Sequence, residues 1–135
     1  MFEAGNCFWI KTNNLSDATQ QAHLFIIVLK CNDDKLIIVN IDKIGGRSKY
    51  DKTTILRPGE GHEFVTQDSY VNYSRAYIIT TVRLTELIEE KKAKRRGTFN
   101  EEVLKKVCEG ILKSGKTKVE VREAYQEYLY SLIKK

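Results

Sequence analysis

Two histidines, His23 and His62, are the side chains best suited to acid–base work near neutral pH, because an imidazole needs little tuning to exchange a proton there. Each stands beside an apolar run. From His62 the chain reads HEFVTQDSYVNYSRAY, which gathers Ser69, Tyr70, Tyr73, Ser74, Arg75 and Tyr77 into one polar stretch. Upstream, Lys49, Lys52 and Arg57 add positive charge. RNA cleavage is the reaction this set fits. A base must activate the 2′-hydroxyl, cations must steady a crowded anionic phosphorane, and the departing oxygen must gain a proton. The candidate catalytic residues are therefore His62, His23, Arg75, Tyr70 and Tyr73. An imidazole would be the acid–base group, Arg75 would hold the phosphate, and the tyrosines would donate hydrogen bonds or stack. Taken singly, each has a plainer role: a histidine at a strand start is commonly a structural hydrogen-bonding group, and a strand tyrosine commonly packs. The case rests on their crowding. Aromatics interleaved with cations also suit unpaired bases.

Charge points the same way. Residues 1–90 carry 10 Lys/Arg and 12 Asp/Glu, a net −2, whereas residues 91–135 carry 13 Lys/Arg and 6 Asp/Glu, a net +7. Such asymmetry suits an anionic partner for the second part, such as a nucleic acid, and equally a lysine-rich helix face that is simply solvated. Lys91, Lys92, Lys94, Arg95 and Arg96 join Lys49, Lys52 and Arg57 as expected nucleic-acid contacts.

Other chemistries find less support. Two distant histidines and three scattered cysteines, Cys7, Cys31 and Cys108, give no metal-ligand spacing and no CxxC. No metal and no cofactor is expected, and the cysteines read as reduced packing residues. Gly110, Gly115, Lys116 and Thr117 match the string G-x-x-x-x-G-K-[ST] of a phosphate-binding P-loop. That loop must follow a strand, whereas here the first glycine lies inside an amphipathic helical pattern, so a helix stop and turn are the better reading.

The elements that must position these groups follow from periodicity. The 135 residues, 41% hydrophobic and 30% charged, suit a globular fold with its own core. No apolar run approaches the roughly 20 residues of a membrane span. The start, MFEAGNCFWIK, lacks a basic stretch ahead of an apolar one, so neither signal peptide nor membrane contact is expected and the location is read as cytoplasmic. CFWIK (7–11) predicts a strand, and residues 12–22 a polar loop. HLFIIVLK (23–30) and KLIIVNI (35–41), joined by CNDD, predict a hairpin. Their nearly unbroken apolar character predicts burial on both faces or a closed barrel. Gly45-Gly46 and Pro58-Gly59 mark turns around a short strand at 53–56. Residues 77–82 read as the final strand. From Thr85 the period becomes helical: TELIEEKKAKRR predicts a helix stopped by Gly97, Asn100 is placed to cap a second, and Thr117 a third. Two modules follow: a β-barrel module over 1–97 that ends in a helix, and a helical extension over 98–135 that packs on it or on a partner.

GNCFWIK, the loop followed by HLFIIVL, the partner strand LIIVNI, and DSYVNYSRAYIITTVRL together resemble the MazF/PemK family of toxin endoribonucleases, from bacterial toxin–antitoxin pairs, over about residues 5–90. The resemblance implies a small SH3-like antiparallel β-barrel; with the helical periodicity that follows it, the expected fold is α+β, that barrel followed by a tail of two to three helices, of which the part beyond residue 98 exceeds the usual family length and would be a dimer surface, an antitoxin-binding surface or a nucleic-acid arm. The resemblance also implies metal-independent cleavage of single-stranded RNA, a homodimer, and an antitoxin or other protein partner. The family's arginine-proline before its second strand falls at Ala22-His23 or His23-Leu24, so His23 would take the arginine's place as acid or electrostatic stabiliser. The family's threonine after the third strand falls near Asn40 to Asp42, where none stands. Two other functions fit the same pattern: a non-catalytic module that binds nucleic acid or inhibits a host protein, and an oligomeric interaction unit of a mobile element.

Overall fold

The computed structural model describes residues 2–11, 22–31 and 34–133. The polar loop expected over 12–22 falls almost wholly outside them, as do residues 32–33 at the expected hairpin turn. The chain runs β1 (Asn6–Lys11), β2 (Ala22–Lys30), β3 (Lys35–Lys43), β4 (Ile55–Leu56), β5 (Ser69–Thr80), α1 (Thr81–Glu89), β6 (Ala93–Thr98), α2 (Glu101–Lys113) and α3 (Val119–Ile133). This is an α+β fold: a six-stranded half-barrel sheet of order β4-β5-β3-β2-β1-β6, antiparallel throughout, with three helices. Among the described residues no ladder joins β4 to β6, so the sheet stays open.

Both sheet faces are covered, which is why β2 and β3 are apolar almost without interruption. Leu24, Ile26, Val39, Ile41, Val71 and Tyr73 pack with Val107, Ile111 and Val121 of α2 and α3. On the other face Phe8, Ile10, Phe25, Ile27, Ile38 and Ile79 pack with Leu84 and Leu87 of α1. Each such aliphatic side chain contributes about 1.5–3 kcal/mol on burial, so neither face is dispensable.

The second of these layers ends earlier than the periodicity predicts. The helix expected to reach Arg96 stops at Glu89, and residues 93–98 form the edge strand β6, paired with β1. Lys91, at φ 61°, ends α1; its N–H donates to the Ile88 carbonyl (3.0 Å) and that of Lys92 to the Leu87 carbonyl (2.8 Å). This is a Schellman stop with lysine where glycine is usual, and the sequence carried no sign of it. Gly97, expected to cap the helix, instead lies in β6 at φ +74°, at the shift of the β1–β6 ladder between Asn6↔Thr98 and Phe8↔Arg95. Lysine and arginine favour helix intrinsically, but here the open edge of β1 and the burial of Ala93 decide. Residues 77–82 are likewise not the final strand: β5 is one long strand from Ser69, and Val82 already belongs to α1.

Asn100 does cap α2, its side chain accepting from the N–H groups of Glu102 and Val103. Gly110, the first glycine of the P-loop string, sits in mid-helix because α2 lies directly on Tyr73; a Cβ there would stand 1.9 Å from the Tyr73 hydroxyl. Gly115 and Lys116 are the turn into α3. Thr117 does not cap it, since its Oγ1 is buried with no hydrogen-bond partner. Arg122 of α3 instead donates to the Leu112 and Ser114 carbonyls at the end of α2 (3.0 and 2.7 Å).

Candidate active site

The half-barrel's α1-covered face is apolar at one end and polar at the other, and the polar end is built by register. Leu24 pairs with Ile41, which sets His23 across from Asp42; Asp42 pairs with Tyr70 and Asn40 with Asn72. Directly opposed residues point to the same side of a sheet, so these five side chains share a face. Arg75 joins them through an irregularity. The β3–β5 ladder passes from Ile38↔Tyr77 to Asn40↔Asn72, so residues 73–76 bulge out of register. The bulge re-aims the side chains along it.

His23 is the centre of the cluster. Its Nδ1 lies 2.8 Å from Asp42 Oδ1, and its Nε2 lies 3.1 Å from Arg75 Nη1. A guanidinium only donates, so Nε2 accepts and the ring hydrogen stands on Nδ1, facing the carboxylate. Asp42 also accepts from Asn40 Nδ2 at 3.1 Å and from Asn72 Nδ2 at 2.9 Å. Burial raises the Asp42 carboxyl, but the hydrogen bonds from His23, Asn72 and Asn40 outweigh it and hold the group at about 2. Asn72 Oδ1 accepts in turn from Ser74 Oγ (2.6 Å). Asn40 Oδ1 is buried with no partner, an acceptor left over beside the carboxylate. The chemistry is that of an imidazole fixed in one tautomer by a carboxylate, with a cation at its second nitrogen.

Two clefts open on this cluster. One, of about 290 Å3, is lined by His23, Asp42, Lys43, Arg47, Trp9 and Phe64 among others. The second, of about 610 Å3, is lined by Lys49, Tyr50, Lys52, Tyr70, Asn72, Ser74 and Lys116 with Ser48 and Asp51. Arg47 Nη1 donates to the Tyr70 hydroxyl (2.8 Å), and Tyr50 packs against Tyr70 at 5.3 Å between ring centroids. Burial and the Asp42 charge raise the Tyr70 phenol, against the pull of Arg47. A third cleft, of about 390 Å3, is lined by Trp9, Lys11, Ala22, Lys91, Lys92, Lys94 and Arg96. Lys94 pairs with Trp9 across the β1–β6 ladder, so both lie on the face opposite His23; this basic cleft meets the His23 cluster at the rim through Trp9 and Ala22.

The structure thus brings His23, Arg75 and Tyr70 together and leaves His62 and Tyr73 outside. His62 is 7% exposed. Its Nδ1 accepts from the Phe64 N–H and its Nε2 faces the Arg96 carbonyl, so both nitrogens brace the 62–64 turn against β6. Tyr73 is wholly buried on the opposite face; it donates to the Val107 carbonyl (2.6 Å) and shares a hydrogen bond with Thr54 (2.8 Å), and burial pushes its phenol well up. Of the expected nucleic-acid contacts, Lys49 and Lys52 line the second cleft and Lys91, Lys92, Lys94 and Arg96 the third. Arg95 lies over the rings of Phe2 and Phe8, at 5.1 and 5.4 Å, and Arg57 pairs with Asp68 in solvent.

Sequence reasoning passed over Asp42, Asn72, Arg47, Trp9, Tyr50 and Lys116. A signal for Asp42 existed: Asn40 and Asp42 alternate at the end of an apolar strand, which puts two polar groups on one buried face. Two of the thiols are held protonated, since burial pushes Cys7 up to about 12 and Cys108 to about 11. Among the described residues no three His, Cys, Asp or Glu side chains gather as metal ligands, and no helix is long and apolar enough to cross a membrane. No protein-family model matches the chain, and no curated protein matches it.

Proposed function

We propose that this protein is a metal-independent endoribonuclease acting on single-stranded RNA. One observation carries the reading: an Asp42–His23 pair that lines a cleft, with Arg75 on the second imidazole nitrogen, amid surroundings rich in lysine, arginine and aromatic rings. In the resting arrangement Arg75 covers the basic nitrogen of His23. An arriving phosphate offers that guanidinium a full negative charge and draws it away, since a charge-assisted bond outcompetes one to a neutral imidazole. Nε2 then takes the proton of the 2′-hydroxyl, and the 2′-oxygen attacks phosphorus. Arg75 and Arg47 bear the phosphorane's charge. The Tyr70 hydroxyl accepts from Arg47 and keeps its own hydrogen for an anionic oxygen. The 5′-oxygen takes a proton from solvent water as its bond to phosphorus breaks, giving a 2′,3′-cyclic phosphate, and the imidazolium then returns its proton to the solvent. Asp42 fixes the tautomer and stabilises the imidazolium that forms.

The same reading takes the half-barrel as SH3-like and MazF-like, and the chain as a cytoplasmic, homodimeric toxin of a toxin–antitoxin system; what supports it is the resemblance of the runs GNCFWIK, HLFIIVL, LIIVNI and DSYVNYSRAYIITTVRL. The test is cleavage of single-stranded RNA by purified protein with EDTA present. Cleavage that survives His23→Ala and Arg75→Ala unchanged refutes the assigned roles, and no cleavage at all refutes the enzyme.

A second reading is a non-enzymatic nucleic-acid binder. The full occupation of both His23 nitrogens favours it, because a group held on both sides is also what a purely structural histidine shows. Salt-sensitive binding without cleavage is its signature.

A further inference from the structure

The second cleft, about 610 Å3, is of a size that holds a small ligand, and it meets the His23 cluster through Tyr70 and Asn72. Asn72 forms the join: it donates to Asp42 on one side and accepts from Ser74 on the other (2.9 and 2.6 Å). We propose that this cleft, between the 48–52 loop and β5, is a nucleotide subsite that seats the base and phosphate of the residue next to the scissile bond in single-stranded RNA. The inference rests on the endoribonuclease reading for its place in the reaction, but the binding it describes is separable from cleavage.

The wall is built for a flat ring. Tyr70 is 4% exposed and is held at its hydroxyl by Arg47, so it is a fixed backing ring. Tyr50 leans on it at 37° and is itself only partly covered. Lys52 lies over the Tyr50 ring at 5.3 Å, and a base stacked on Tyr50 would take that place and turn the ammonium to the phosphate. Lys49, Lys52 and Lys116 supply charge for a phosphate from two different parts of the chain.

The loop does not need ordering on arrival. Asp51 Oδ1 accepts from the Thr53 N–H (2.9 Å) and its Oδ2 from Ser114 Oγ, while Ser114 Oγ also accepts from the Lys116 N–H (3.0 Å). The 48–52 loop and the Gly115-Lys116 turn are thereby tied to each other. So the lysine of the discarded P-loop string reaches a phosphate-sized space by another route, across the α2–α3 turn. At the floor, Ser74 Oγ gives its hydrogen to Asn72 and presents lone pairs, so it is matched to an N–H on a base edge.

Binding of the four nucleoside 5′-monophosphates and of inorganic phosphate to the intact protein tests this, read by NMR shifts at Tyr50, Tyr70 and Ser74. Mononucleotides should bind more tightly than phosphate. Tyr50→Ala should lower mononucleotide affinity about 5- to 100-fold, leave phosphate affinity in place, and be rescued by Tyr50→Phe, which shows that the loop still folds. Lys116→Gln should weaken both ligands. Mononucleotide affinity unchanged by Tyr50→Ala, or equal to that of phosphate, overturns the subsite. The same measurements on His23→Ala separate the two claims. Tyr50-dependent binding with no RNA cleavage by the wild type sustains the subsite and removes the nuclease. RNA cleavage at positions that Tyr50→Ala does not shift removes the subsite and sustains the nuclease.

Discussion

Asp42→Asn isolates what the carboxylate contributes. The native group accepts from His23, Asn40 and Asn72 and is 7% exposed. Asparagine retains one acceptor oxygen, for His23 and Asn40, and turns its NH2 toward the NH2 of Asn72. Bonds to a charged acceptor are worth about 1.5–3 kcal/mol, so the variant should lose about 2 kcal/mol near neutral pH. The loss must depend on pH. Folding lowers the Asp42 carboxyl from 3.8 to about 2. A depressed pKa stabilises above the unfolded value, and that stabilisation fades as pH falls toward the folded one. The full effect is about 2 kcal/mol, and about 1 kcal/mol of it is gone by about pH 3. Urea unfolding of both proteins at about pH 6 and about pH 3, with equal m-values, measures it. The gap should close by about 1 kcal/mol on acidification. A gap that stays constant, or that widens, refutes the account of Asp42. Where cleavage is measured, the variant should also slow by about 10²-fold or more, because His23 loses the partner that fixes its tautomer.

Lys91→Gly should stabilise the fold by about 1 kcal/mol in thermal unfolding, since glycine adopts the φ of 61° without strain. His62→Ala should cost about 1–3 kcal/mol by orphaning the Phe64 N–H and the Arg96 carbonyl, yet leave cleavage per folded molecule intact; a selective loss of activity would return His62 to the active site. Replacing Lys91, Lys92, Lys94 and Arg96 together by glutamine should flatten the dependence of log affinity for single-stranded RNA on log salt by up to about 3, and an unchanged slope would take the RNA off this cleft.

What the sequence disclosed depended on whether the deciding physics was local. Strands β2 and β3 were legible because burial on both faces writes itself as an unbroken apolar run, and α2 because Asn100 and an i, i+3, i+4 stripe are local signals. Strand β6 was not. AKRRGT has the composition of a helix, and only the long-range partner β1 makes it a strand. The end of α1 was hidden for a similar reason, since a lysine holds the left-handed turn. At the site, His23 and Arg75 could be named but not joined, because the bulge in β5 that brings them within 3.1 Å has no residue signature. His62 and Tyr73 looked equivalent to them by type; burial on other surfaces tells them apart.

The first strand finds its outer neighbour in β6, 87 residues further on: Phe8 pairs with Arg95, and the Phe99 N–H reaches back to the Gly5 carbonyl at 2.7 Å. A polypeptide emerging from the ribosome therefore carries one aromatic-rich edge bare until β6 has been made. Closing so long a loop delays the productive contact, and an unsatisfied edge recruits whatever extended strand lies nearby. The lysines and arginines of β6 are consequently more than candidate ligands for RNA: once docked, they leave the finished sheet with a charged border that a stray strand cannot extend.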